Sequence, residues 1–179
     1  MIEDIKTVLL RDFENLSFDL SRWNSVLSDS SYASVYHQVS NVDYYSAYFQ
    51  GENISFVLIE DNKPIAIFPI FAYQDNNEWK ISSNGLGLIS PLFIRDIPKK
   101  TRKRLEKQFI EIILLISKKI KLRKIILFEH SHFLSNWFLL WLEKADKDFI
   151  TYQLAIDLQQ SIESIKLDFR KSYKPLVNK

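Results

Sequence analysis

The residues best suited to acid–base chemistry lie together at positions 129–132, where the sequence reads Glu-His-Ser-His. They follow a predicted strand and precede a predicted helix, the place where open α/β sheets put ligand-binding groups. Because an imidazole titrates near neutral pH, Glu129 and His130 are candidates for a general base and acid. Three interpretations stay open here: histidines that only structure a loop, proton transfer, and a metal site to which His37 adds a third ligand.

Several common catalytic signatures are missing. The sequence has no Gly-x-Ser-x-Gly motif and no cysteine, which argues against an α/β-hydrolase serine, a cysteine nucleophile and a thiolate zinc site. It holds three glycines, too few for most phosphate-cradling loops. The Asn-Gly-Leu-Gly segment at 84–87 comes closest to such a loop, but no helix is predicted directly after it. We therefore predict a tight turn between strands at 84–87.

Positive charge is concentrated in residues 99–124. This segment holds eleven basic and two acidic residues, a net charge of +9, so the rest of the chain carries −7 against an overall charge of +2. Such a strip is either the solvated face of a helix or a surface for phosphates or an anionic membrane.

The composition is that of one ordinary globular domain. The 179 residues are 46% hydrophobic and 26% charged. No signal peptide or membrane span is predicted, and together with the absence of cysteine this favours a reducing, cytoplasmic location.

Hydrophobic periodicity predicts the elements that must position these groups. The tyrosine-rich segment 32–49 is read as a loop and short helix that could line a substrate cleft, and the four tryptophans are expected in the core. The order suggests an α/β or α+β fold with a mixed, mostly antiparallel sheet flanked by helices. We predict strands at 5–10, 54–59, 65–72, 79–82, 125–128 and 151–158, and helices at 20–27, from Pro98 to about 116, at 133–142 and from Ser161.

Several short motifs, taken in order, resemble one enzyme family. The segment 152–158, Tyr-Gln-Leu-Ala-Ile-Asp-Leu, and the basic segment 169–174 resemble the junction between the two halves of FemAB-type aminoacyl and acyl transferases. Upstream, Trp23, the Ser-Val-Tyr-His segment 34–37 and the Ala-Ile-Phe-Pro-Ile segment 66–70 are similar to the opening half of that family.

The resemblance implies a GCN5-related N-acetyltransferase-like fold. It implies one such domain in residues 1–150 and the truncated start of a second in 151–179, with a missing second domain or a homo-oligomer completing the site. The implied activity is transfer of an acyl or aminoacyl group to an amine on a cell-wall precursor or surface polysaccharide. The donor would be aminoacyl-tRNA or acyl-coenzyme A, with no bound cofactor.

The resemblance and the residue chemistry together give a set of candidate site residues. Ser82 departs from the family of ordinary acetyltransferases, whose acyl-coenzyme A loop has Gln or Arg at this place. The cations near the end of the chain would bind anionic groups or complement a helix dipole. We assign proton handling to His37, Glu129 and His130, and substrate binding to Tyr36, Arg170, Lys171 and Lys174.

Two competing functions stay open at this point. One is a non-catalytic binding or assembly module of a split or truncated transferase. The other is nucleic-acid binding through segment 99–124, which predicts an affinity that falls steeply with salt.

Overall fold

The computed structural model describes residues 2–128 and 136–143. All of them belong to the unit Met1–Ala145, the first of two units in the chain. The domain division predicted at residue 150 stays a prediction, because 151–179 lie outside the described residues, as do the strand and helix predicted there.

The described residues form a mixed α+β fold in which antiparallel sheets are flanked by helices, as predicted. The helices are α1 (Ile2–Asp12), α2 (Leu20–Asp29), α3 (Val39–Tyr48), α4 (Lys99–Ile120) and α5 (Asn136–Leu142), and the strands are β1 (Leu16–Ser17), β2 (Glu52–Asn53), β3 (Phe56–Glu60), β4 (Lys63–Phe68), β5 (Phe71–Asp75), β6 (Glu78–Ser82) and β7 (Leu92–Phe93). A short 3₁₀ helix, Val35–His37, precedes α3. One sheet has the strand order β1-β3-β4-β7 and the other β2-β5-β6.

The two sheets separate where a proline interrupts the backbone ladder. Pro69 has no N–H to donate, and the single strand predicted over 65–72 is therefore two strands, β4 and β5. Side-chain hydroxyls supply the missing partners: Ser55 Oγ accepts from the Ile70 N–H (3.0 Å), and Ser83 Oγ donates to the Pro69 carbonyl. The buried polar backbone at this break is thus satisfied by two serines.

Two tight turns close the hairpins of the fold. Asp61 and Asn62 have φ of 49° and 61°, and Asn76 and Asn77 have φ of 52° and 62°. Two consecutive left-handed residues are the signature of type I′ turns, in which Asn and Asp are tolerated. These turns connect β3 to β4 and β5 to β6.

The strand predicted at 5–10 is wrong, because this segment belongs to α1. Ile5 and Leu9 are buried while Leu10 is 48% exposed, so the apolar side chains follow helical spacing. The strand predicted at 125–128 is also wrong in extent, since within it only Leu127 makes a bridge.

The helices predicted at 20–27 and after Pro98 are confirmed as α2 and α4. Asp19 caps α2 by accepting from the Ser21 N–H (2.8 Å). Helix α4 buries one apolar face against the sheet, and α5 confirms the described part of the helix predicted at 133–142. Three of the tryptophans, Trp23, Trp137 and Trp141, are buried as predicted, and Trp79 is half-buried.

Helix α5 is attached to α4 through a buried carboxylate. Glu106, 1% exposed, accepts from Arg102 Nε (3.1 Å) and from the side-chain amide of Asn136. In Glu106→Gln, one accepting oxygen becomes an NH₂ that faces a donor, so we expect a loss of about 1–3 kcal/mol in the free energy of unfolding. Urea denaturation measures this loss.

The matched control is Glu111→Gln, which removes the same charge from an exposed position of α4. We expect it to change stability by less than about 0.5 kcal/mol. Equal losses in the two variants would contradict the role given to Glu106.

Candidate functional site

The loop 83–91, here called the bulge, connects β6 in one sheet to β7 in the other. Strand β6 pairs with β5, and β7 pairs with β4. Ser82 lies opposite Phe71 and Leu92 lies opposite Ile67, so the loop connects the same two sheets that residues 68–70 connect on the neighbouring segment.

At Leu88 the bulge meets another part of the chain in parallel orientation. Leu88 donates its N–H to the Ile126 carbonyl (2.8 Å), and Phe128 donates its N–H to the Leu88 carbonyl (2.8 Å). This is an isolated parallel bridge between Leu88 and Leu127, rather than a ladder. It places the residue before Glu129 in the sequence directly beside the bulge.

Two buried side chains fold the first half of the loop. Ser82 Oγ accepts from the N–H groups of Asn84 (3.3 Å) and Gly85 (2.9 Å) and donates to the Gly87 carbonyl (3.1 Å). Asn84 Oδ1 accepts from the N–H groups of Leu86 (3.0 Å) and Gly87 (3.1 Å). The turn predicted at 84–87 is confirmed, and its backbone donors are held by side chains.

Two buried side-chain atoms, one in this loop and one on α3, have no hydrogen-bond partner among the described residues: Asn84 Nδ2 and Asn41 Oδ1. Gly85, with φ of 82°, packs against the rings of Tyr45 on α3 and of Phe49 directly after α3, and any Cβ there would lie about 3 Å from both rings. Asn41 lies one turn before Tyr45 on α3, and Asn84 directly precedes Gly85.

His37 is a buried histidine, 2% exposed, that connects the 3₁₀ helix to the bulge. Its Nδ1 accepts from the Ser34 N–H (3.2 Å), which places the ring proton on Nε2, and Nε2 donates to the Ser90 carbonyl (3.2 Å). The His37 carbonyl in turn accepts from the Trp23 indole (2.9 Å). Both ring nitrogens are engaged inside the protein, and proton handling by His37 stays a prediction.

Tyr36 lies on the same side of the bulge. Its half-buried ring stands edge-on to the ring of Phe128, with centroids 6.2 Å apart and planes at 81°. Tyr36 and His37 are thus brought together with the loop 83–91 and with the chain that leads into Glu129. The other candidates, Glu129, His130, Arg170, Lys171 and Lys174, lie outside the described residues.

Aromatic rings from β5 and from the α3 segment pack together beside Gly85 of the bulge. Tyr45 stacks on Phe71 with planes at 4°, and Phe49 lies 4.6 Å from the ring centroid of Tyr73. Burial raises the pKa of the Tyr73 hydroxyl. Part of the tyrosine-rich segment therefore has a packing role, while Tyr44 and Tyr48 are 62% and 69% exposed.

Sequence reasoning missed the roles of Ser82 and Asn84. The run Ser-Ser-Asn-Gly at 82–85 predicts a turn, but the burial of these polar side chains depends on contacts with distant segments. In the sequence, Ser82 is distinguished only by its departure from the Gln or Arg of an acyl-coenzyme A loop.

Comparison with protein-family models, curated proteins and solved structures found no match to this chain. Within the part of the chain that the structure describes, no group of three or more acidic or histidine side chains is placed to hold a metal ion. No helix among the same residues has the length and apolar character needed to cross a membrane.

Proposed function

We propose that this chain is an N-acyl or aminoacyl transferase of FemAB-like type, with a GCN5-related N-acetyltransferase-like fold. The acceptor is an amine on a cell-wall precursor or surface polysaccharide, and the donor is acyl-coenzyme A or aminoacyl-tRNA. The observation that carries the proposal is the parallel bridge between Leu88 and Leu127 beside the bulge 83–91.

The order of elements around that bridge supports the proposal. An antiparallel meander leads into the bulge, α4 then crosses over, and the chain returns at Leu127 parallel to Leu88. Because one bridge replaces a ladder, the two segments are paired at a single point. In this proposal the substrates bind beside this bridge, by analogy with open α/β sheets, in which ligands bind where neighbouring strands diverge.

The transfer reaction needs positioning more than covalent chemistry from the protein. The amine nitrogen bonds to the acyl carbonyl carbon, and the C–S bond of a thioester or the C–O bond of an ester breaks. The amine proton passes to a base and then to the leaving thiolate or alkoxide. The site must hold the two reactants together, accept that proton and stabilise the oxyanion.

In this proposal each predicted residue has a role in the transfer. Glu129 and His130, which follow Phe128, handle the proton, while His37 positions the bulge through its hydrogen bond to the Ser90 carbonyl. Tyr36, whose ring contacts Phe128, binds the substrate. The cations Arg170, Lys171 and Lys174 bind phosphate groups of the donor or acceptor.

The test is acyl transfer by the full chain, with Ser82→Ala as the informative variant. Acyl-coenzymes A and aminoacyl-tRNAs are offered as donors to amino sugars and amine-bearing peptides, and the product is detected by mass spectrometry. Ser82→Ala leaves the N–H groups of Asn84 and Gly85 without their acceptor, and the bulge loses its shape. Since small misplacements in a site cost about 100-fold in rate, we expect kcat to fall at least about tenfold.

The matched control is Ser117→Ala. In the unmodified chain, the Ser117 hydroxyl donates to the Ile113 carbonyl within α4. It should keep kcat, and Ser82→Thr, which retains the hydroxyl, should recover part of the activity that Ser82→Ala loses. No transfer from any donor by the unmodified chain would overturn the proposal and favour an assembly module. Unchanged kcat in folded Ser82→Ala would remove the bulge from the site.

A further inference from the structure

One face of α4 carries the basic residues seen in the sequence. The helix buries its apolar side chains in the core, and the lysines at 100, 103 and 107 lie on the exposed side. Positions three, four and seven residues apart share one side of an α-helix, so these cations form a row along α4.

Two acidic groups near this row are already engaged, whereas Glu111, one turn after Lys107, is exposed and forms no ion pair within the described residues. Glu106 is buried and bound to Arg102, and Arg104 pairs with Glu60. Among the described residues, Lys100, Lys103 and Lys107 have no ion pair. The positive charge of the row is therefore available to a ligand.

The row borders a groove of about 740 Å³ between α4 and the end of α1. We call it the α4 groove. Gln108 Nε2 donates to Asn15 Oδ1 (2.9 Å), and this hydrogen bond fixes the segment after α1 against α4. Its lining residues are Phe13, Lys100, Thr101, Lys103, Arg104, Lys107, Gln108 and Glu111.

We propose that the α4 groove binds the phosphodiester backbone of a nucleic acid without sequence preference. From Lys100 to Lys107 the helix rises about 10 Å, so the three ammonium groups of the row can pair with successive phosphates of one strand. A membrane surface fits less well, because helices that lie on membranes insert an apolar face, and the apolar face of α4 is used in the core. The proposal is independent of the proposed transferase activity.

Fluorescence anisotropy with the full chain tests this inference, using labelled 20-nucleotide single-stranded RNAs of two unrelated sequences. We expect similar affinity for both and a steep loss of affinity as salt rises. In the Lys100→Ala, Lys103→Ala, Lys107→Ala triple variant, the dissociation constant should rise at least about tenfold. The slope of log K against log salt should become less steep by about 2, because each lost phosphate contact of a single strand contributes about 0.7.

The matched control is the Lys118→Ala, Lys119→Ala, Lys124→Ala triple variant, which removes the same charge from exposed positions near and beyond the other end of α4. It should weaken binding less than threefold, and thermal denaturation checks that both variants are folded. Equal weakening in the two variants, or no binding of RNA by the unmodified chain, would overturn the proposal. Tighter binding to phosphatidylserine vesicles or polyglutamate than to RNA would overturn it as well.

Discussion

Replacing Phe109 by alanine should reduce the free energy of unfolding by about 3–5 kcal/mol, the usual cost of removing a buried ring. The side chain is 0% exposed and contacts three other rings: centroid distances are 5.6 Å to Phe56, 5.4 Å to Phe68 and 5.9 Å to Phe93. These rings belong to β3, β4 and β7, so Phe109 connects α4 to three strands of one sheet. The cavity left by alanine would loosen all three contacts together.

Chemical denaturation followed by circular dichroism measures this loss, and a thermal midpoint lower by roughly 10–15 °C should accompany it. The control is Leu114→Ala on the same helix, where the side chain is 43% exposed and less surface returns to water. We expect the control to lose less than about 1 kcal/mol. Similar losses at the two positions would mean that the α4 face is not packed as described.

Gly87→Ala should separate the bulge from the segment 125–128. An added Cβ would lie 2.8 Å from the Ile126 carbonyl oxygen and 3.1 Å from its carbon, and both are backbone atoms that cannot rotate away. That same oxygen accepts from the Leu88 N–H. Relief of the clash moves the two segments apart, at a cost of about 2–4 kcal/mol for the contacts and hydrogen bonds lost.

Hydrogen exchange gives the most direct measurement of this effect. The amides of Leu88 and Phe128 should lose protection in Gly87→Ala, and any transferase activity should disappear with them. Leu86→Ala is the matched control, since Leu86 lies in the same loop and is 61% exposed. Unchanged protection of both amides in Gly87→Ala would contradict the parallel bridge.

Local signals in the sequence were enough for the elements with a strong period or strong turn residues. The long helix α4 has a continuous apolar stripe, and the paired residues Asp61–Asn62 and Asn76–Asn77 identify the hairpins. The failures have local causes too. Apolar residues in succession at 5–10 look like a strand, although only those at helical spacing are buried.

The candidate site depends on contacts that no local pattern contains. His37 forms a hydrogen bond to the carbonyl of Ser90, a residue far from it in the sequence. Ser83 likewise donates to the Pro69 carbonyl, at the break between β4 and β5. A histidine three residues after a serine indicates neither the burial nor the tautomer of the imidazole. That Tyr36 lies close to the segment before Glu129 is likewise shown only by the contact between its ring and that of Phe128.

The two faces of helix α4 have separate roles. The apolar face packs against the sheet, whereas Lys100, Lys103 and Lys107 form no ion pair within the described part of the protein. Substitutions at these three lysines should therefore change the charge of the surface at little cost to folding. The exposed face of α4 can thus be redesigned one lysine at a time while Phe109 and its neighbours in the core stay constant.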